Sequence, residues 1–265
     1  MRVIVTRPQQ EAQQWVQQLQ QASFDALALP LIHVSAAPDA HAVQKVWHGL
    51  AGFDAVMFVS GNAVDHFFAL KPVGVQVFGS AQGSPRIWVT GPGSYAALTQ
   101  RAGVPAQCID APNAQAGQYD SEALWSVVSG QVKQGSKVLI VRGTGATQSS
   151  DYAQGVGRDW LAQQIAQAGG AVEFVVAYQR VCPDFDNPHK ELVSRAATDG
   201  SVWLFSSSEA VENLKSAFPV QQWQQAKSVV THARIGRAAS QAGFGLVLES
   251  RPVLADVMAC LQTLQ

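Results

Sequence analysis

The sequence predicts an α/β fold: two parallel-sheet lobes with helices on both faces, joined by a two-stranded β connector, with a ligand cleft between the lobes. Three observations carry this. Short apolar, β-branched runs alternate with amphipathic helical stretches along the whole 265-residue chain. The alternation repeats: Val3-Ile4-Val5-Thr6-Arg7 is echoed by Val138-Leu139-Ile140-Val141-Arg142, and Phe58-Val59-Ser60 by Phe205-Ser206-Ser207. Finally, two longer apolar strands, 26–34 and 172–181, each follow a helix and run into loop residues, as strands leaving one lobe for another would. The chain therefore reads as two copies of one unit, each lobe opened by one copy and closed by the other. The expected boundaries are a discontinuous lobe of residues 1–31 plus 183–265, an inserted lobe of 38–170, and connectors at 32–37 and 171–182.

In order, residues 3–6 make a buried strand, and Thr6-Arg7-Pro8 turns it into a helix over 8–21, with Pro8 in the first turn. That helix buries Trp15, Val16 and Leu19 and turns its glutamines to solvent. After the strand 26–34 come a helix at 41–50, a strand at 55–59 ending in Ser60-Gly61-Asn62, and a helix at 63–70. A strand at 87–90 ends in Gly91-Pro92-Gly93-Ser94 and opens a helix to Arg101. A short strand at 106–109, a helix at 121–128 and a strand at 137–141 follow, the last ending in Arg142-Gly143. The polar stretch 144–157 reads as a surface loop before a helix at 158–168. Beyond the second long strand, Pro183 to Pro188 read as a hinge. The last third repeats the pattern: helix 189–197, strand 202–205, helix 209–218, strand 228–230, a helix ending at Gly243, strand 246–248 and helix 252–264. Ser206 and Glu209 stand at capping-box spacing.

Composition narrows the function. Hydrophobic residues make up 47% of the chain, enough for a sizeable core without staples, and the net charge of −1 with 14% charged residues argues against nucleic acid or a membrane surface recognised by bulk charge. No apolar run approaches the roughly 20 residues of a membrane span, and the N-terminus enters a strand with no apolar leader. Three isolated cysteines form neither a disulfide framework nor a zinc spacing, as in a reducing cytoplasm. The six histidines show no metal spacing either, and there is no nucleophile elbow, Walker motif or triad.

Ligands of open parallel sheets bind beyond the carboxyl ends of the strands. Here those ends read Thr6-Arg7, Ser60-Gly61, Thr90-Gly91, Arg142-Gly143, Ser206-Ser207 and Thr231-His232. Small hydroxyls, glycines and arginines at helix N-termini present free N–H groups and the positive end of the helix dipole, which suits an anion. Ser and Thr also serve as ordinary N-caps at such places. A competing signal is Gly91-Pro92-Gly93-Ser94-Tyr95-Ala96, a G-x-G-x-x-A turn between strand and helix, with Asp110 where a ribose-binding acid is expected. It points to a bilobal anion- or dinucleotide-binding protein using the Gly91 turn. The second copy lacks it, Arg234 standing for Gly93.

Strand ends and hinge together resemble one family, uroporphyrinogen-III synthase of the proteobacterial type. The carriers are Val5-Thr6-Arg7-Pro8, Pro30-Leu31-Ile32, Phe58-Val59-Ser60 with Ala63-Val64, the Thr90-Gly91 turn, Arg142-Gly143 with Gly157-Arg158, and Ala177-Tyr178-Gln179-Arg180. Their order and spacing carry the likeness over nearly the whole chain. The resemblance implies a cofactor-independent enzyme that closes the linear tetrapyrrole hydroxymethylbilane to uroporphyrinogen III, with loss of water and inversion of ring D. It implies a polyanionic small-molecule substrate, no metal, no nucleic-acid or membrane partner, and a cytoplasmic enzyme, expected to be a monomer. Tyr178 matches the family's connector tyrosine, proposed to assist loss of the hydroxyl. Ser60 and Ser207 match the family's hydroxyl turns, Ser94 a position where many relatives have threonine, and Arg7, Arg142 and Arg158 recurrent arginines; with Gly61, Thr90, Gly91, Gly143, Ser206 and Thr231 of the strand ends they are the expected substrate-binding positions. His232 and Ile235 depart from the glycine and threonine of other branches, and residues 147–156 look like an insertion.

Overall fold

The computed structural model describes residues 1–75, 78–79, 84–113, 119–145 and 156–264, with the side chains of 156–159 excepted. It divides the chain into two compact units, Met1–His33 with Val181–Gln265, and Val34–Arg180. Most of the surface-loop stretch 144–157 therefore lies outside the described residues. Among the described residues no helix is long and apolar enough to cross a membrane.

The first unit is built on five parallel strands: β1 (Arg2–Val5), β2 (Asp25–Ala28), β9 (Val202–Phe205), β10 (Lys227–Val230) and β11 (Leu246–Glu249). Their order is β11-β10-β9-β1-β2. Strand periodicity sorts the side chains into two layers. Val3, Val5 and Leu204 pack on Ala12 and Leu19 of the helix Gln9–Gln21 and on Val257 and Leu261 of the helix Leu254–Gln262. Trp203 and Phe205 instead join an aromatic cluster with Trp223 and Phe244.

The second unit has six strands: β3 (His33–Ala36), β4 (Ala55–Phe58), β5 (Arg86–Val89), β6 (Ile109–Asp110), β7 (Lys137–Gly145) and β8 (Ala171–Val181), in the order β3-β8-β7-β4-β5-β6. Val56, Phe58, Leu139 and Val141 face the helices Ala40–Gly49 and Gly61–Ala69. Their sequence neighbours Ala55, Met57, Val138 and Ile140 face the helices Ser121–Val128 and Val156–Gln167. Continuous apolar runs are what a parallel sheet covered on both faces requires. The sequence repeat is visible as topology. Read from the other edge, β6-β5-β4-β7-β8 matches β11-β10-β9-β1-β2 strand for strand, and β3 is the extra edge strand beside β8.

Several expected elements are corrected. The strand expected at 26–34 is two, because Pro30 has no N–H to give a ladder. The chain between them is held instead by Leu29 and Leu31 N–H bonds to Val5 and Thr6 carbonyls and by Asn213 Nδ2 donating to the Leu31 carbonyl at 2.8 Å. The strand expected at 106–109 is a 3-10 turn, Ala106–Cys108, leading into β6. β7 runs on to Gly145 along β8, so Arg142 and Gly143 lie inside a strand and not at a helix N-terminus. In the expected hinge, Asp186 caps the helix Asn187–Ala196 and Pro188 sits in its first turn. The helix after β9 is Ser208–Ala217, capped by Ser207 and not by Ser206.

Trp47 anchors the second unit. Its ring stacks on Phe67 at 4.5 Å between centroids, and its Nε1–H donates to the Phe67 carbonyl at 3.0 Å. Trp47→Ala is expected to cost about 3–5 kcal/mol of unfolding free energy, read from urea denaturation. A loss below about 1 kcal/mol would mean that this ring does not hold the helix Ala40–Gly49 down.

Candidate functional site

In a doubly wound sheet the crevice for a ligand opens where strand order reverses, beyond the carboxyl ends. In the second unit the chain runs from β4 outward through β5 to β6, then returns to the other side of β4 as β7 and β8. The reversal lies between β4 and β7. Ser60 follows β4, Gly143 lies in β7, and Tyr178 lies in β8.

The geometry of Tyr178 comes from one irregularity. β7 and β8 pair in register up to Arg142↔Val176, and then Gly143 pairs with Tyr178, leaving Ala177 as an extra residue. Strict alternation would put Tyr178 on the face of Phe174 and Val176. The bulge re-aims it: Val175, Ala177 and Tyr178 all enter the core that holds Val56, Phe58 and Phe67. Tyr178 is only 2% exposed. Its ring lies on the backbone of Gly143 so closely that a Cβ there would meet ring carbons at 2.5 and 2.7 Å. Only glycine fits under the ring at that position.

The phenol is held at its polar end as well. Tyr178 Oη and Ser60 Oγ are 3.1 Å apart, and Ser60 Oγ accepts from the Ala63 N–H at 3.1 Å as N-cap of the helix Gly61–Ala69. The same helix supplies His66, stacked on the Tyr178 ring at 5.8 Å and 23°. Burial pushes the His66 pKa down, with Asp65 opposing the shift. Asp65 itself accepts from Arg101 through both carboxylate oxygens, at 2.8 and 2.9 Å, and that bond raises the Arg101 pKa. In the sequence His66 is marked only by its position six residues after the capping serine.

The other expected residues of this unit divide. Arg142 lies over the Phe174 ring at 4.5 Å, on the sheet face opposite Tyr178. Gly61 opens its helix, and a side chain there would make only ordinary contacts, the nearest being an Arg101 nitrogen at 3.5 Å. Thr90 and Gly91 are half-buried at the end of β5, Gly91 being the N-cap of the short helix Pro92–Ala96. Ser94 is buried inside that helix, at 5% exposure. Arg158 belongs to the helix Val156–Gln167, but its side chain lies outside the described residues. Asp110 does not suit the ribose-binding role. Its carboxylate receives Arg86 at 2.9 and 2.6 Å and Gln131 at 3.1 Å, so its acceptors are taken within the sheet edge.

In the first unit the reversal lies between β1 and β9. Thr6 is buried there, its hydroxyl donating to the Leu204 carbonyl. Arg7 pairs with Glu11 at 2.9 Å and lies over the Trp15 ring at 4.1 Å. Ser206 and Ser207 are half-buried, and Ser207 Oγ accepts from the Glu209 N–H at 3.2 Å. Thr231 is half-buried at the end of β10 and lines a groove of about 470 Å³ with Glu249, Ser250, Arg251 and Asp256. His232 caps the helix Ala233–Ala242, its Nδ1 accepting from the Arg234 N–H at 3.0 Å, and Ile235 is buried beneath it. That explains how the turn dispenses with a hydroxyl: the imidazole nitrogen takes the capping role. Among the described residues no group of three or more His, Cys, Asp or Glu side chains is placed to hold a metal ion.

The family model described as uroporphyrinogen-III synthase HemD matches residues 13–257. Among solved structures, a mutant uroporphyrinogen III synthase from the extremely thermophilic bacterium Thermus thermophilus is similar with a TM-score of 0.56 at 14% identity, covering 100% of this chain and 98% of that one. The uroporphyrinogen-III synthetase of Helicobacter pylori is similar with a TM-score of 0.52 at 14% identity, covering 100% of both chains. At such identity the two structures speak to the fold: two α/β units of this design. The family model, matching nearly the whole length, says which α/β protein this is: the chain belongs to the uroporphyrinogen-III synthase family, cyclising lyases of tetrapyrrole biosynthesis.

Proposed function

We propose that, in closing hydroxymethylbilane to uroporphyrinogen III, Tyr178 is the catalytic residue that assists departure of the hydroxyl. The observation that carries this is the Tyr178–Ser60 hydrogen bond at 3.1 Å, at the strand reversal of the sheet. The pyrrole nitrogen of ring A pushes the hydroxyl out, and the phenol donates the proton with which it leaves as water. A phenol is a weak proton donor, which suits a leaving group already under push. Ser60 then donates to the phenolate oxygen. Ring D attacks the azafulvene through its substituted carbon, the spiro intermediate fragments, and the macrocycle closes. The proton lost as the rings regain aromaticity restores the phenol.

The acetates and propionates of the substrate are met, in this reading, by the chain at Ser60, Gly61, Thr90, Gly91, Ser94, Gly143, Ser206, Ser207 and Thr231, and by Arg7, Arg142 and Arg158. The capped N-termini of Gly61–Ala69 and Ser208–Ala217 support it, since a helix N-terminus carries N–H groups without intrahelical partners and positive potential. The burial of Ser94 leaves its hydroxyl the weakest member of the set. We place the enzyme in the cytoplasm as a monomer; the free thiols of Cys108, Cys182 and Cys260 accord with a reducing compartment.

The whole reading is tested by incubating the protein with hydroxymethylbilane and resolving the type I and type III isomers; type I alone would sink it. Tyr178→Phe is expected to fold and bind normally while kcat for the type III product falls at least about tenfold. Turnover at the parent rate would leave Tyr178 a packing residue. Gly143→Ala drives a methyl into the Tyr178 ring and is expected to cost about 1–3 kcal/mol in stability, with a loss of kcat approaching that of Tyr178→Phe. An alanine variant with parental melting and rate would contradict the close approach. Arg142→Ala removes one charge-assisted contact of about 1.5–3 kcal/mol and should raise KM more than it lowers kcat. Lost turnover at unchanged KM would make the arginine catalytic.

A further inference from the structure

We infer that His66 is a positioning residue for cyclisation: its imidazole, stacked on the Tyr178 ring at 5.8 Å and 23°, holds the phenol in the orientation that Ser60 and Gly143 define. The inference rests on the proposed role of Tyr178. Three features support it.

The first is mechanical. One helix, Gly61–Ala69, touches Tyr178 twice, through its capping serine at the hydroxyl and through His66 at the ring. The cap ties Ser60 to the Ala63 N–H, so the hydroxyl contact and the ring contact move together as one body. The Asp65–Arg101 pair, with two bonds at 2.8 and 2.9 Å, ties the residue next to His66 to the end of the π-helical turn Ala97–Arg101. The second is steric. Gly143 offers the ring a backbone surface and no side chain. Confinement by side chains must come from elsewhere, and among the described residues His66 is the ring stacked on it. The third is electrostatic. Burial favours the neutral imidazole, and a neutral ring can stack on the phenol without burying a charge beside the apolar core.

Reacting groups displaced by a fraction of an ångström lose rate steeply, so loss of the stack should appear in kcat and not in KM. His66→Ala is therefore expected to lower kcat for the type III isomer on the order of tenfold, with KM unchanged within about twofold. His66→Phe, which keeps a flat ring, is expected to recover most of that loss. The decisive readout is the double variant. In a Tyr178→Phe background there is no phenolic proton left to position, so adding His66→Ala should lower kcat by less than about twofold. If His66→Ala slows the reaction equally in both backgrounds, or if His66→Phe is no better than His66→Ala, the histidine does not act through the phenol and the inference is overturned. Should Tyr178→Phe alone turn over at the parent rate, it is the role of Tyr178 that fails, and the two failures are told apart. Should His66→Ala not fold, His66→Asn takes its place in the same cycle, with the same outcomes.

Discussion

The constraint on which the site depends is the approach of the Tyr178 ring to the Gly143 backbone. It needs three things at once: a bulge at Ala177 to turn the side chain onto the right face, a residue without Cβ on the neighbouring strand, and a hydrogen-bond partner at the far end of the ring. Each costs little separately. A bulge forfeits regular pairing at one residue of a strand otherwise paired along β7, and the glycine weakens its strand slightly. Together they sink a phenol into the apolar core with its oxygen bound to the cap of a helix at the sheet's strand reversal.

The two halves of the repeat use the same positions differently. Arg7, just beyond β1, and Arg142, inside β7, stand at corresponding points of the sequence repeat, and each guanidinium lies over an aromatic ring, Trp15 or Phe174. Such stacking is worth about 0.5–1 kcal/mol at an exposed site. Ser60 and Ser207 both cap helices. Six residues further on the copies part. Asn213 gives its amide to the Leu31 carbonyl and fixes the chain leaving β2, while His66 packs against the phenol in β8. One copy settled that position for chain geometry and the other for the tyrosine.

Much of this was legible in the residues. Apolar periodicity, the repeat and the glycine and serine turns pointed to the α/β class and the paired strand ends, and the order of Ser60, Arg142-Gly143 and Tyr178 pointed to the family. What was not legible turns on pairing partners that lie far away in sequence. Alternation alone sends Tyr178 to the face of Phe174, and nothing local announces the bulge. β7 was expected to stop at Val141 because Arg-Gly looks like a turn, yet β8 is long enough to pair with it to Gly145. Asp110 stands where a ribose-binding acid is expected, yet Arg86, diagonally across the β5–β6 ladder, claims its carboxylate. The break at Pro30, by contrast, is written in the sequence itself: a residue without an N–H stands in the middle of the expected strand.

The close approach can be measured without reference to turnover. One α-proton of Gly143 points at the phenol ring, where a Cβ would otherwise stand, so its NMR resonance carries the ring current of Tyr178. The account predicts a resonance displaced from the usual glycine range, unchanged in Tyr178→Phe and returned to that range in Tyr178→Leu. An undisplaced Gly143 resonance in the parent, indifferent to Tyr178→Leu, would contradict it.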